Sequence, residues 1–167
     1  LPMDEFNDGM MNAYNWRIEM KDGLIDHGSL IRSLENTVQK HSNTVFIACH
    51  LANCTHDLQI IAAMLDKYPN LYADITSRLK EICTVPRYAK AFIEKYQERL
   101  LFGSDVGYDP SRSMDFATQL YETTFRLLET ADEHIYQHDL FKHHWPLYGL
   151  DLSKSVLQKL YSDNALR

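Results

Sequence analysis

The sequence contains no apolar run near the roughly 18–20 residues a membrane-spanning helix needs, and the longest candidates, such as Leu58 to Leu65, fall far short. It also lacks an excess of positive charge. Seventeen Lys and Arg against 23 Asp and Glu leave a formal net charge of −6, so there is no basic footprint for nucleic acid. Cysteine is scarce and odd in number: Cys49, Cys54 and Cys83 have neither Cys-x-x-Cys spacing nor a disulfide framework. They read as buried free thiols of a reducing compartment, which favours the cytoplasm, although Cys49 and Cys54 flank a candidate site. No glycine-rich phosphate loop follows any strand candidate, and there is no low-complexity tract. The opening Leu-Pro-Met-Asp-Glu has neither the basic nor the apolar region of a signal peptide. Such a start is expected of a cut or processed chain, with any targeting segment lying upstream.

What is present is an ordinary globular composition: 167 residues, 45% hydrophobic and 24% charged, enough for one domain. Three apolar runs stand out. Val45 to Cys49 is continuously apolar, as expected of a parallel strand covered on both faces. Leu71 to Ile75 and Arg99 to Gly103 are the second and third, spaced close to the ~30 residues of a strand–helix–strand unit. Helical patterns fill the gaps. Leu30, Leu34 and Val38 form a stripe with Ser29 as N-cap; Thr55 caps a helix carrying Leu58, Ile61, Ala62 and Leu65. Pro86 begins a third helix, Asp109-Pro110 opens the longest, and a short one follows Ser153. Residues 1–28 read as an irregular insert, 29–131 as strand–helix units, 132–150 as a long loop and 151–167 as a C-terminal helix, all in one partial domain.

Three parallel strands and about five helices make an α/β protein, but three strands cannot close a barrel and would leave open edges. A (β/α)8 barrel takes about 250 residues, so the chain is expected to be its last three or four units.

In such folds the active site lies at the C-terminal ends of the strands. His50 follows the first run, and Asp105 follows the third in Gly103-Ser104-Asp105. Imidazole and carboxylate are the usual ligands of catalytic zinc, which brings water to hydroxide near neutral pH. Singly, each has a plainer use, His50 as a strand cap and Asp105 as a turn residue. Together, at equivalent strand ends, they suggest a shared site. Asp74 alternates away from Ala73 and Ile75 and reads as a paired structural carboxylate, the alternative being a place near the site. Arg78 either clamps an anionic substrate or lies on the surface. Tyr108, three residues beyond Asp105, is expected beside the pocket. His134 and His138 stand four apart without the Glu of the zinc-protease pattern; with His143 and His144 they read as a solvated lid loop.

The segment Asn43 to Asn53 resembles the sixth-strand region of amidohydrolase-related TIM-barrel proteins. Tyr68 to Ile75 resembles their seventh strand, Arg99 to Asp105 their eighth with its terminal Asp, and Leu160 to Ala165 their tail with its Asn-Ala pair. The resemblance runs from about residue 29 to the end. It implies a metal-dependent hydrolase cleaving a C–N or C–O bond of a small molecule, with a divalent ion, typically zinc. Asp105 would be a metal ligand and base. His50 would be a second ligand, or the group that polarises substrate or water. Arg78 and Tyr108 would bind substrate. The family's His-x-His on the first strand and its fifth-strand ligand are absent here, so this piece is expected to be inactive alone. It would associate with a copy of itself or with the missing barrel half. A decarboxylase-like member of the same superfamily, a non-enzymatic half-barrel scaffold and an unrelated doubly wound binding domain are the competing readings.

Overall fold

The computed structural model describes residues 23, 25–107, 114–141 and 144–167. Helix α1 (His27–Lys40) leads into strand β1 (Phe46–Ala48), followed by a tight turn over Cys49–Asn53. Helix α2 (Leu58–Lys67) then crosses back to β2 (Leu71–Asp74). Helices α3 (Leu79–Ile82) and α4 (Pro86–Lys95) return the chain to β3 (Leu100–Leu101). Beyond it lie α5 (Met114–Glu129), α6 (His138–Phe141) and α7 (Lys154–Gln158), the last continued by a π-helical turn over Lys159–Asp163. The expected α/β architecture is present. The three strands are parallel in the order β1-β2-β3, with Phe46 opposite Leu71 and Ala73 opposite Leu100. Parallel neighbours need a crossover, and the helices supply it.

The strands are half-buried ribbons. On one face Ala48, Leu71, Ala73, Ile75 and Leu100 are buried, joined by Ile61, Leu65, Ala89 and Ile93 from α2 and α4. Fully burying one such Leu or Ile contributes roughly 1.5–3 kcal/mol, so this face is the source of most of the sheet's stability. The other face is open. Val45 and Ile47 are 66% and 52% exposed, and Cys49 is exposed with them. The expectation that β1 is covered on both sides is therefore wrong for the described residues. Its continuous apolarity reflects one buried face and one bare one.

Several helix starts also differ from expectation. The N-cap of α1 is Asp26, which accepts from the Ser29 amide at 2.8 Å, so the helix begins two residues before Ser29 and takes in His27. Leu30 is exposed, and Leu34 and Val38 turn inward together with Ile31. The cap of α2 is Asp57 rather than Thr55, whose hydroxyl is buried without a partner. Pro86 does open α4, where the missing N–H costs nothing, and Ser153 caps α7. Asp109-Pro110 lies outside the described residues. Within α5 the buried side chains are Thr123, Thr124, Leu127 and Leu128, while Met114 is exposed. The 132–150 stretch is not all loop: it holds α6 and an antiparallel bridge between Ile135 and Leu147.

Two amides lock the layers together. Asn70 directs its side-chain NH2 to the carbonyls of Val38, His41 and Thr44, tying the end of α1 to the start of β2. Buried Asn164 donates to Gln97 O and Leu100 O, both at 2.7 Å, and pins the C-terminal turn to β3. The π-helical widening there leaves Leu160 O free to accept from Phe102 N at 2.9 Å, which extends the edge of β3. All three cysteines are free; burial pushes the Cys54 thiol up to about 11 and Cys83 higher still. No helix among the described residues is long and apolar enough to cross a membrane.

Candidate active site

The C-terminal ends of β1, β2 and β3 are built from strained backbone. After β1, His50, Leu51, Ala52 and Asn53 all have φ between 52° and 57°. Ser77 after β2 (φ 55°) and Asp105 after β3 (φ 58°) are left-handed too. Each non-glycine residue in this region costs about 1–2 kcal/mol, so the surrounding contacts must hold it there. For the β1 turn the anchors are Leu51, which is fully buried, and Asp74.

Asp74 is the hub of the strand ends. Its Oδ1 accepts from the backbone N–H of His50 at 2.8 Å and of Thr76 at 3.1 Å. It thereby joins β1 to β2, the structural use expected from its alternation. The His50 ring adds a second tie, with Nδ1 2.9 Å from Thr76 O. A carbonyl only accepts, so Nδ1 is the donor, and a neutral imidazole held this way has its lone pair on Nε2. Cys49 sits against the same carboxylate. Although the residue as a whole is exposed, partial desolvation of its sulfur, then the charges of Asp74 and Asp105, hold its thiol above the ordinary range.

The end of β3 comes close to that of β2. A Cβ at Gly103 would stand 2.2 Å from Thr76 Oγ1, so only glycine fits that approach. Two residues later Asp105 is exposed, and its Oδ2 accepts from Ser77 Oγ at 3.0 Å. A cleft of about 470 Å³ opens here. Its polar lining residues include Ser77, Arg78, Lys80, Ser104 and Asp105; its apolar ones include Phe116 and Leu120 of α5 and Leu140 and Phe141 of α6.

Arg78 is held from both sides. Its Nη2 donates to Asn53 Oδ1 at 2.7 Å, and Nη1 lies 3.3 Å from Glu81 Oε1. Burial raises the Glu81 carboxyl above its usual range, outweighing the nearby charges of Lys80 and Arg78. Arg78 Nε and Glu81 Oε2 are both buried without a partner.

The sequence expectations therefore fall at different places. Asp105 and Arg78 line the cleft, whereas His50 is absent from its lining and is fixed at the β1–β2 junction. Tyr108 and His143 lie outside the described residues. His134 and His138 do not share a helix, because α6 begins at His138. His138 instead faces His144, with ring centroids 4.9 Å apart. Ser77, Lys80, Glu81 and Asn53 were not visible as site residues, since single polar residues outside any motif carry no spacing signal. Nor was the apolar wall, which joins two helices distant in sequence from the strand ends. Among the described residues no group of three His, Cys, Asp or Glu side chains could hold a metal ion. His50 and Asp105 do not by themselves make a metal shell, which takes three or four protein donors.

A family model described as Amidohydrolase matches residues 27–167. Searches of curated proteins and of solved structures found no match.

Proposed function

The chain belongs to the amidohydrolase family, and from that premise we propose that it serves in hydrolysis of a C–N or C–O bond of a small molecule bound in the cleft beside Asp105. The observation that carries this reading is Asp105 itself. It is a carboxylate at the C-terminal end of a parallel strand, lining a cleft, with one oxygen held by Ser77. Fixing Oδ2 leaves Oδ1 directed by the same carboxylate plane, which suits a general base that takes a proton from an attacking water. His50 offers a lone pair on Nε2 at the end of β1, two strands away, as a ligand or a proton acceptor.

In the same reading a divalent ion such as zinc would polarise the scissile group and acidify water. The described residues do not complete its shell. The proton chemistry proposed here therefore rests on Asp105 and His50 alone, with further donors coming from elsewhere. Arg78 and Tyr108 are proposed as substrate contacts. The bare sheet face at Val45 and Ile47 supports association with further barrel strands, from a second copy or from the rest of a barrel.

The test is zinc titration by calorimetry together with a hydrolysis screen of amides, esters and lactones. Wild type, His50→Ala and Asp105→Asn are compared. We expect this chain alone to be inactive, and metal-dependent turnover once a second copy or the rest of the barrel supplies the missing donors, a turnover that Asp105→Asn lowers at least 100-fold, in line with the ~10²–10⁴-fold typical of general-base catalysis. No zinc binding and no turnover even when the missing barrel strands are supplied would leave a non-enzymatic scaffold as the correct reading.

A further inference from the structure

A second cavity, of about 740 Å³, shares no lining residue with the cleft at the strand ends. It is lined by residues at the start of α4 and by residues of two later segments, 131–133 and 148–151. Those two segments are fastened to each other as a short ladder. Gly149 N–H donates to Asp132 O at 2.8 Å, and Asp151 N–H to Thr130 O at 2.9 Å. Tyr148 N–H donates to Cys83 O at 3.0 Å, which brings the ladder against the chain just before α4. The approach is close, since a Cβ at Gly149 would stand 2.0 Å from Thr130 O. Asp151 within the ladder and His134 just beyond it are left-handed, with φ of 46° and 57°. Strain of this kind persists only where the surrounding structure enforces it, and it clusters at ligand sites.

Four charged residues line this cavity. Both cations, Arg87 and Lys90, belong to α4, and both anions, Glu133 and Asp151, belong to the ladder segments. The charges sum to zero, but their signs are segregated by element. Lys90 and Asp151 satisfy each other, with Nζ 2.5 Å from Asp151 O and 3.4 Å from its Oδ2. Asp132, beside Glu133, is held by Arg126 at 2.6 Å. One cation and one anion remain, Arg87 and Glu133. Neither side chain has an ion pair or hydrogen bond among the described residues. A lone exposed Arg or Glu is ordinarily solvated. These two border one cavity, together with Val85 and Tyr88, which keep 49% and 41% of their surface exposed, and with Tyr148 and Leu150.

We propose that this cavity is a second binding site, for a zwitterion of dipeptide size with an apolar body, its carboxylate on Arg87 and its ammonium on Glu133. Arg is the side chain whose planar fork matches a carboxylate. A free α-amino acid carries both charges on one carbon, whereas the two open charges here come from different elements. A dipeptide separates its charges by a further residue, and 740 Å³, in the upper part of the roughly 300–1,000 Å³ range of ligand pockets, leaves room for it. Binding is non-covalent and independent of the hydrolytic reading, because no residue of the strand-end cleft takes part.

The probes are L-alanyl-L-phenylalanine, its N-acetyl form and its C-terminal amide. Each is titrated into the millimolar range against the isotope-labelled full chain and followed by backbone amide chemical shifts. We expect the free dipeptide to move the amides of Arg87, Tyr88, Tyr148 and Gly149 saturably. Blocking either end should weaken binding about fivefold, the size of effect an exposed ion pair gives. Arg87→Gln should erase the difference between dipeptide and amide and keep that between dipeptide and N-acetyl form; Glu133→Gln should do the reverse. Arg87→Lys and Glu133→Asp, which preserve charge, should keep both differences. The proposal is overturned by an absence of saturable shifts at these amides, by shifts confined to the strand-end cleft, or by an end preference that survives the loss of its own partner.

Discussion

Removing the Asp74 carboxylate should loosen the β1–β2 junction more than any other single change there. Asp74→Ala deletes the acceptor of two backbone donors, His50 N–H and Thr76 N–H, at 2.8 and 3.1 Å. A hydrogen bond to a charged group contributes about 1.5–3 kcal/mol, so two fully buried ones would sum to roughly 3–6 kcal/mol. Both are only partly buried, and water would reclaim some of that loss. An expected cost of about 3 kcal/mol follows, a large part of the ~5–15 kcal/mol that holds a typical domain together. At this chain length 1 kcal/mol moves the midpoint by about 2–4 °C, so Tm should fall by roughly 6–12 °C. Asp74→Asn keeps an oxygen in place and loses only the charge, so its cost should be about half. The left-handed turn at His50 to Asn53 would lose its anchor as well. Equilibrium urea unfolding measures the first effect; hydrogen exchange of the peptide spanning Cys49 to Cys54 measures the second. If Asp74→Ala unfolds within about 1 kcal/mol of wild type, with unchanged exchange at His50, the idea that this carboxylate holds the turn is wrong.

Two further outcomes can be checked by the same unfolding method. Asn164→Ala removes two 2.7 Å bonds from a buried amide to Gln97 O and Leu100 O, and should cost roughly 2–4 kcal/mol; a loss below about 0.5 kcal/mol would contradict the pinning of the C-terminal turn to β3. Glu81 has its carboxyl raised above 4.5 by burial, so the folded state holds that proton more tightly than the unfolded chain does. The folded form is then favoured at acid pH, and that advantage is lost as pH rises through the raised folded value. The stability of Glu81→Gln relative to wild type should therefore improve between about pH 4 and pH 7. A difference that is flat with pH, or that runs the other way, would refute the burial argument.

Much of this was legible in residue order. The runs at Val45, Leu71 and Arg99, each followed by an amphipathic helix, determine three parallel strands with helical crossovers, because a parallel pair cannot close through a short hairpin. The polar residues ending those runs mark one rim of the sheet, so His50, Arg78 and Asp105 could be named from strand ends alone. Pro86 and Ser153 announced helix starts because their effect is local to the backbone beside them. Asp26 and Asp57 displaced Ser29 and Thr55 as caps because every residue type involved can cap, and packing of the following helix selects among them.

Tertiary structure decided the rest. Whether a continuous apolar strand has two covered faces depends on what lies opposite it, which its own sequence does not encode; the bare side of Val45 and Ile47 is such a case. The separation of His50 from the cleft is another, since Asp74 and Thr76 fix its backbone and ring at the β1–β2 junction. The cleft itself arises where β2 and β3 end beneath α5 and α6. Its lining joins two strand ends to α5 and α6, residues far apart along the chain that meet only in the folded molecule.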